Sequence, residues 1–439
     1  MIEQALAGKM ADFRELGFPE YMRREGRIHR APHVVSILVG ARRVGKSFCA
    51  MQFADDLIKE SFLPSLSHVC HVDFDHPVLG KIKAEELSKI QTIFLQQNPT
   101  FAQETPLLFI LDEIHRVSGW EDYAIELSRN PHWQVVITGS SARMLSKDIS
   151  TALRGKSVST TITPLSFRDF LRFRKMDPDG VSTRQQASIR AAFEDYLRWG
   201  AFPAIPQTPD FTKPALLHEY YDTMLLRDII QRHSIRAADD CIALYTYLLS
   251  SMSKPFTVQS AQRYLAGAGY KTGREAIASY IDYAEDARLF QTLALHTDSA
   301  AQAARNYRKI YAVDWALANC NSATWDSTHS RALENMVYME LTRRYSRIRY
   351  GLTRSDHREI DFIADDAGGQ PVFAAQVSLD VSDPETYARE IAPLAAVAQY
   401  HHIPDVVLIT RSDERTVEHN GVTIRIVPAW KWLLNNECS

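Results

Sequence analysis

Two short stretches combine residue types and spacings that do chemistry. The first is Gly40-Ala41-Arg42-Arg43-Val44-Gly45-Lys46-Ser47, a complete G-x-x-x-x-G-K-S followed by Phe48. It follows the apolar run Val34 to Val39 and opens a helix-like segment running to Lys59. Gly40 and Gly45 let the backbone curl so that successive N–H groups converge on phosphate oxygens, and the helix adds the positive end of its dipole. In such a loop Lys46 reaches the β- and γ-phosphates and the Ser47 hydroxyl joins a Mg²⁺ shell. The expected ligands are ATP and Mg²⁺, with residues 40 to 48 around the phosphates.

The second stretch is Leu107-Leu108-Phe109-Ile110-Leu111-Asp112-Glu113, an apolar run ending in two carboxylates. A continuous apolar run suits a parallel strand covered on both faces, and ligands bind at the carboxyl ends of such strands. Asp112 is then placed to hold Mg²⁺, with Ser47, and Glu113 to polarise the water that attacks the γ-phosphate. A third run, Trp133 to Ile137, ends in Thr138, Gly139, Ser140 and Ser141, so Thr138 and Ser140 are candidates to sense that phosphate. Farther on, Arg154 leaves a helical stretch. It either caps that helix or points in trans at a neighbouring subunit's nucleotide.

These residues need a scaffold that brings strand ends together. Through Pro164 the pattern alternates strand and helix, which predicts an α/β fold with a parallel sheet between helical layers. Residues 1–32 carry mixed charge with little periodicity and read as a leader over the pocket. Asp73 and Asp75 close a short strand and read as a turn. The chain has 439 residues, with 50 basic and 53 acidic side chains and a pI near 6.6, so any nucleic-acid contact must be local. The cysteines Cys49, Cys70, Cys241, Cys320 and Cys438 are scattered, without metal-binding spacing, as expected of reduced thiols in a cytoplasmic protein. No membrane-spanning run is present.

Beyond residue 164 the period becomes helical. Leu217, Tyr220, Tyr221, Met224, Leu225 and Ile229 form one apolar stripe in a helical lid assigned to 165–235. Residues 236–325 read as three helices and a hairpin, a winged helix. Its candidate DNA contacts are Arg263, Lys271, Arg274, Arg305, Arg308 and Lys309. In 326–439 a helix carrying Glu334 precedes a strand with Asp361 and a strand with Gln376 and Ser378. That is the layout of restriction-endonuclease-like domains, which need Asp, Glu and Lys around a metal. Gln376 is a poor ligand for a hard cation and Ser378 brings no positive charge, so the site reads as degenerate and nuclease activity as lost.

Together these stretches resemble a prokaryotic family in which an AAA+ ATPase core, here 1–164, is followed by a helical lid, a winged helix and a nuclease-like domain. Supporting motifs include Leu153-Arg154-Gly155-Lys156, Gly200-Ala201-Phe202-Pro203, Leu226-Arg227-Asp228-Ile229 and Glu334-Asn335. Ala201 and Lys156 depart from the usual residues, which leaves Arg154 the better arginine finger. The resemblance implies ATP hydrolysis in a ring such as a hexamer, with motion passed to a substrate that the family does not settle; the winged helix and nuclease-like fold point to DNA, including branched DNA. Two other readings are a signalling or defence ATPase with a protein partner and an active ATP-dependent nuclease.

Overall fold

The computed structural model describes residues 2–435 except 27, 29, 141–146, 154, 297–307, 325 and 354–355, and the backbone alone at 147, 148 and 150. The chain divides into two compact units, Met1–Thr163 with Asp286–Arg288, and Pro164–Glu285 with Leu289–Ser439.

The first unit is built on a five-stranded sheet in the order β2-β3-β4-β1-β5, with β1 Val35–Val39, β2 Val69–Asp73, β3 Leu107–Asp112, β4 Trp133–Gly139 and β5 Ser157–Thr161. Every pairing is parallel. Alternation explains why the central strands are apolar throughout. Val35, Ile37, Phe109, Leu111, Val135 and Ile137 enter one core, while Leu38, Leu108, Ile110 and Val136 enter the other. The helix Lys46–Lys59 packs into the second core through Ala50, Phe53, Ala54 and Leu57.

The amino terminus departs from expectation. Ile2–Leu16 is a helix, and Leu6 and Met10 are buried in the first core. Ile2, Leu6 and Met10 recur every four residues, a stripe that the surrounding charges obscured. Between β2 and β3 a 3-10 turn, Ala84–Glu86, precedes the helix Ser88–Gln96.

The second unit begins with the helices Phe167–Phe173, Thr183–Trp199 and Lys213–Thr223, the last continuing as a π-helical turn, Met224–Gln231. The predicted stripe from Leu217 to Ile229 is buried throughout. Three more helices, Ala238–Ser250, Val258–Gly267 and Arg274–Asp286, accompany an antiparallel sheet β6-β8-β7, with β6 Pro255–Phe256, β7 Phe290–Ala294 and β8 Arg308–Ala312. After the helix Ser330–Arg344 comes a six-stranded mixed sheet, β13-β14-β12-β11-β10-β9. Its strands are β9 Arg347–Leu352, β10 Glu359–Asp365, β11 Pro371–Val377, β12 Asp405–Thr410, β13 Arg415–His419 and β14 Val422–Pro428. The helix Pro384–His401 buries Ile391, Leu394 and Ala398 against this sheet.

Long-range polar contacts explain why residues that the sequence divides three ways form one unit. Asn335 pairs its amide with both the N–H and the carbonyl of Ala312 on β8, at 2.7 and 2.9 Å. Arg343 donates to the carbonyls of Pro164 and Leu165, and Arg344 to that of Trp432. Asp314 caps the helix Trp315–Cys320 and also accepts the Ala201 N–H at 2.6 Å. Gly200 precedes that contact with φ of 82°, and a Cβ there would lie 2.3 Å from Asp314 Oδ1. Only glycine fits.

Candidate functional site

The phosphate-binding loop joins β1 to the helix Lys46–Lys59. Gly45 has φ of 95°, and a Cβ on Gly40 would stand 2.2 Å from the Ile162 carbonyl oxygen. Both positions therefore demand glycine. Lys46 is 5% exposed. Its Nζ donates to the carbonyls of Gly40 and Ala41, each at 3.1 Å, and lies 3.4 Å from Glu113 Oε1.

Sheet order places β4 beside β1 and β3 next to β4, and the parallel pairing sets their carboxyl ends on the side of the loop that leaves β1. Asp112 is buried at the end of β3, and its Oδ1 accepts from the Thr138 hydroxyl. Burial opposes its charge. The closeness of His71 and hydrogen bonds with Ser47 and Thr138 outweigh that, holding the carboxyl below its ordinary range. Thr138 Oγ1 also accepts the Glu113 N–H at 3.0 Å, so one hydroxyl fixes both acids. Glu113 sits at φ of 56°, a left-handed conformation uncommon outside glycine, and its Oε2 lies 3.4 Å from His115 Nδ1. Ser140 is buried and its hydroxyl has no partner among the described residues. Phe48 is 44% exposed at the helix start, 6.5 Å from the Tyr21 ring.

His71 escaped sequence reading. It lies on β2 with Nε2 3.9 Å from Asp112 Oδ2 and its ring against Phe13. A histidine inside an apolar strand that runs beside the acidic one was the available signal. The leader grips the loop: Arg24 donates to the carbonyls of Val44 and Thr163, each at 2.9 Å, and exchanges hydrogen bonds with Gln52. Arg42 lies 3.7 Å from Asp75, whose N–H bonds to Asp73 in the expected strand-end turn. Arg154 lies outside the described residues, as does Arg305.

In the second unit Arg263, Lys271 and Arg274 are exposed, and Arg274 donates to Gln262. Arg308 is half-buried and meets Thr292. Lys309 is not a surface contact, which corrects the sequence expectation. It is fully buried, with Nζ 3.1 Å from Glu334, 2.5 Å from Glu359 and 3.1 Å from Asp361. The strand alternation of β8 turns Lys309 and Tyr311 inward together, and the Tyr311 hydroxyl donates to Glu334 at 2.7 Å. The positive charge missing from Ser378 thus arrives from another element.

Burial opposes the Lys309 charge, but Glu334, Asp361 and Glu359 hold the ammonium well above its ordinary pKa. Burial and the neighbouring Asp361 push Glu334 up to about 7. Gln376 is fully engaged, accepting the Asp361 N–H and donating to Glu390 at 2.8 Å. Asp361 Oδ2 accepts the Val377 N–H. Among the described residues no group of three or more His, Cys, Asp or Glu is arranged to hold a metal ion.

The parallel sheet and loop define an α/β P-loop nucleotide-binding fold. Residues 33–171 match an AAA domain and residues 190–327 match a domain of unknown function, DUF8612. The first unit therefore holds a P-loop ATPase domain of the AAA type. An uncharacterized protein of Methanocaldococcus jannaschii is 29% identical over 423 residues, covering 94% of this chain and 90% of that one. Another, from Haemophilus influenzae, is 25% identical, covering 90% and 94%. Among solved structures, the Walker-type ATPase of Pyrococcus abyssi is similar at 14% identity with a TM-score of 0.43, covering 65% of this chain and 90% of that one. No helix among the described residues is long and apolar enough to cross a membrane.

Proposed function

We propose that the protein is an AAA+ ATPase that couples ATP hydrolysis to binding and remodelling or translocation of DNA. The observation that carries the ATPase half is the meeting of Lys46, Asp112, Glu113 and Thr138 at adjacent strand ends. A loop position closed to any Cβ at Gly40 and one at positive φ at Gly45 form a cradle fit for phosphates, and Ser47 with an ionised Asp112 suits Mg²⁺. Bound Mg²⁺ would neutralise charge on the phosphate oxygens. Lys46 binds the phosphates, Glu113 takes the proton of the attacking water, and Thr138 holds both acids in register. Ser140, the residue after β4, has a buried hydroxyl without a partner among the described residues and is proposed to sense the γ-phosphate. Arg154 is proposed as a finger acting in trans within a ring such as a hexamer.

The DNA half rests on the second unit. Its three helices with the sheet β6-β8-β7 suit a winged helix, and Arg263, Lys271 and Arg274 lie exposed there. The helix bearing Glu334, followed by β9 to β12, suits a nuclease-like module whose metal chemistry is lost. The test is ATP turnover with and without duplex, forked and four-way DNA across a salt series. Stimulation that weakens with salt supports the reading, and its absence together with no salt-sensitive binding removes the DNA half.

A further inference from the structure

The unusual group in the second unit is a lysine with no access to water. Lys309 reaches from β8 into a space bounded by Glu334 on the helix Ser330–Arg344 and by Glu359 and Asp361 on β10. The contacts are short and come from two separate elements, so the ammonium sits at the centre of the acids rather than at their edge. Three carboxyl groups thus converge on a single monovalent cation. A hard divalent ion prefers oxygen donors of this kind. The remaining donors nearby are already committed. Glu334 accepts from Tyr311, Asp361 from Val377, and the Gln376 amide is spent on Asp361 and Glu390.

We infer that Lys309 is a tethered cation that occupies the metal position of the nuclease-like module, so that the native chain excludes divalent metal there and admits it once the lysine is removed. The inference rests on the nuclease-like reading above and makes the hairpin of β7 and β8 a self-inhibitory element, because its strand carries the occupant. It also explains how Gln376 is tolerated. With the lysine in place, the third strand needs no carboxylate toward a metal, and the amide instead fastens Asp361 to Glu390.

The test uses the full chain without nucleotide, titrated with Mn²⁺ while free ion is read by electron paramagnetic resonance. Lys309→Ala is expected to gain one saturable site per chain, at least tenfold tighter than any binding by the native protein, and Asp361→Asn in that background to abolish it. Native binding already lost with Asp361→Asn overturns the inference. So does a folded Lys309→Ala that binds no more than the native chain. Lys309→Met, which keeps the apolar stem, is measured alongside. If both variants are unfolded in EDTA, refolding by Mn²⁺ supports the inference and failure to refold overturns it. ATP binding measured on the same preparations separates this outcome from any failure of the ATPase reading.

Discussion

Each unit buries a lysine beside carboxylates, and the two are held in opposite ways. Lys46 touches two backbone carbonyls at 3.1 Å and one carboxylate at 3.4 Å. These are neutral or long contacts, which an incoming triphosphate can replace with stronger charge-assisted ones. Lys309 meets three carboxylates at 3.1 Å or less and is fully sealed. No ligand is needed to satisfy it. The contrast shows that burial and acidic neighbours do not by themselves make a lysine a binding group. The number of charges that already claim it decides.

Exchange of these two roles should fail in distinct ways. Lys46→Ala is expected to abolish nucleotide binding in a fluorescent-nucleotide titration while leaving the melting temperature of the apo protein nearly unchanged. Lys309→Ala should do the reverse: nucleotide affinity stays, and stability falls by about 3–5 kcal/mol because buried carboxylates lose their counter-charge. Equal effects on both readouts for either variant would dissolve the comparison. Next in size, Glu113→Gln should keep ATP binding and slow turnover by about 100-fold or more, since proton removal from water is lost.

A smaller effect sharpens the geometry around the first lysine. Thr138→Val removes the hydroxyl shared by Asp112 and Glu113 and should cost roughly 1.5 kcal/mol in turnover, about tenfold, with binding little changed. Apart from these effects on turnover, a pH-dependent effect on stability concerns Asp314, whose carboxyl burial pushes up from 3.8 to about 6 despite several backbone N–H donors. A raised folded value means the favourable contribution is full at acid pH and is lost as pH rises towards 6. The stability advantage of native protein over Asp314→Asn should therefore shrink by up to about 3 kcal/mol between pH 4 and 7, as read in urea titrations. A constant difference across that range would mean that the carboxyl titrates normally.

Legibility followed contact distance. The sheet was readable because its central strands are apolar on both faces, and the loop because its glycines are locally required. The amino-terminal helix was legible in principle through Ile2, Leu6 and Met10, but its charged flanks masked the spacing. Lys309 was not legible, since its partners are 25 and 52 residues away along the chain and nothing local distinguishes it from a basic residue on a hairpin. The same holds for Asp314, whose second role depends on Ala201, 113 residues earlier. His71 lay between these cases, identifiable only once β2 was known to run beside β3.

One guanidinium has a mechanical consequence. Arg24 clasps Val44 inside the phosphate loop and Thr163, where the chain leaves the first unit. Any shift of the loop at Val44 must either break that clasp or drag the exit strap with it. The wrist of the ATPase domain and its grip on phosphate thus share a single tendon.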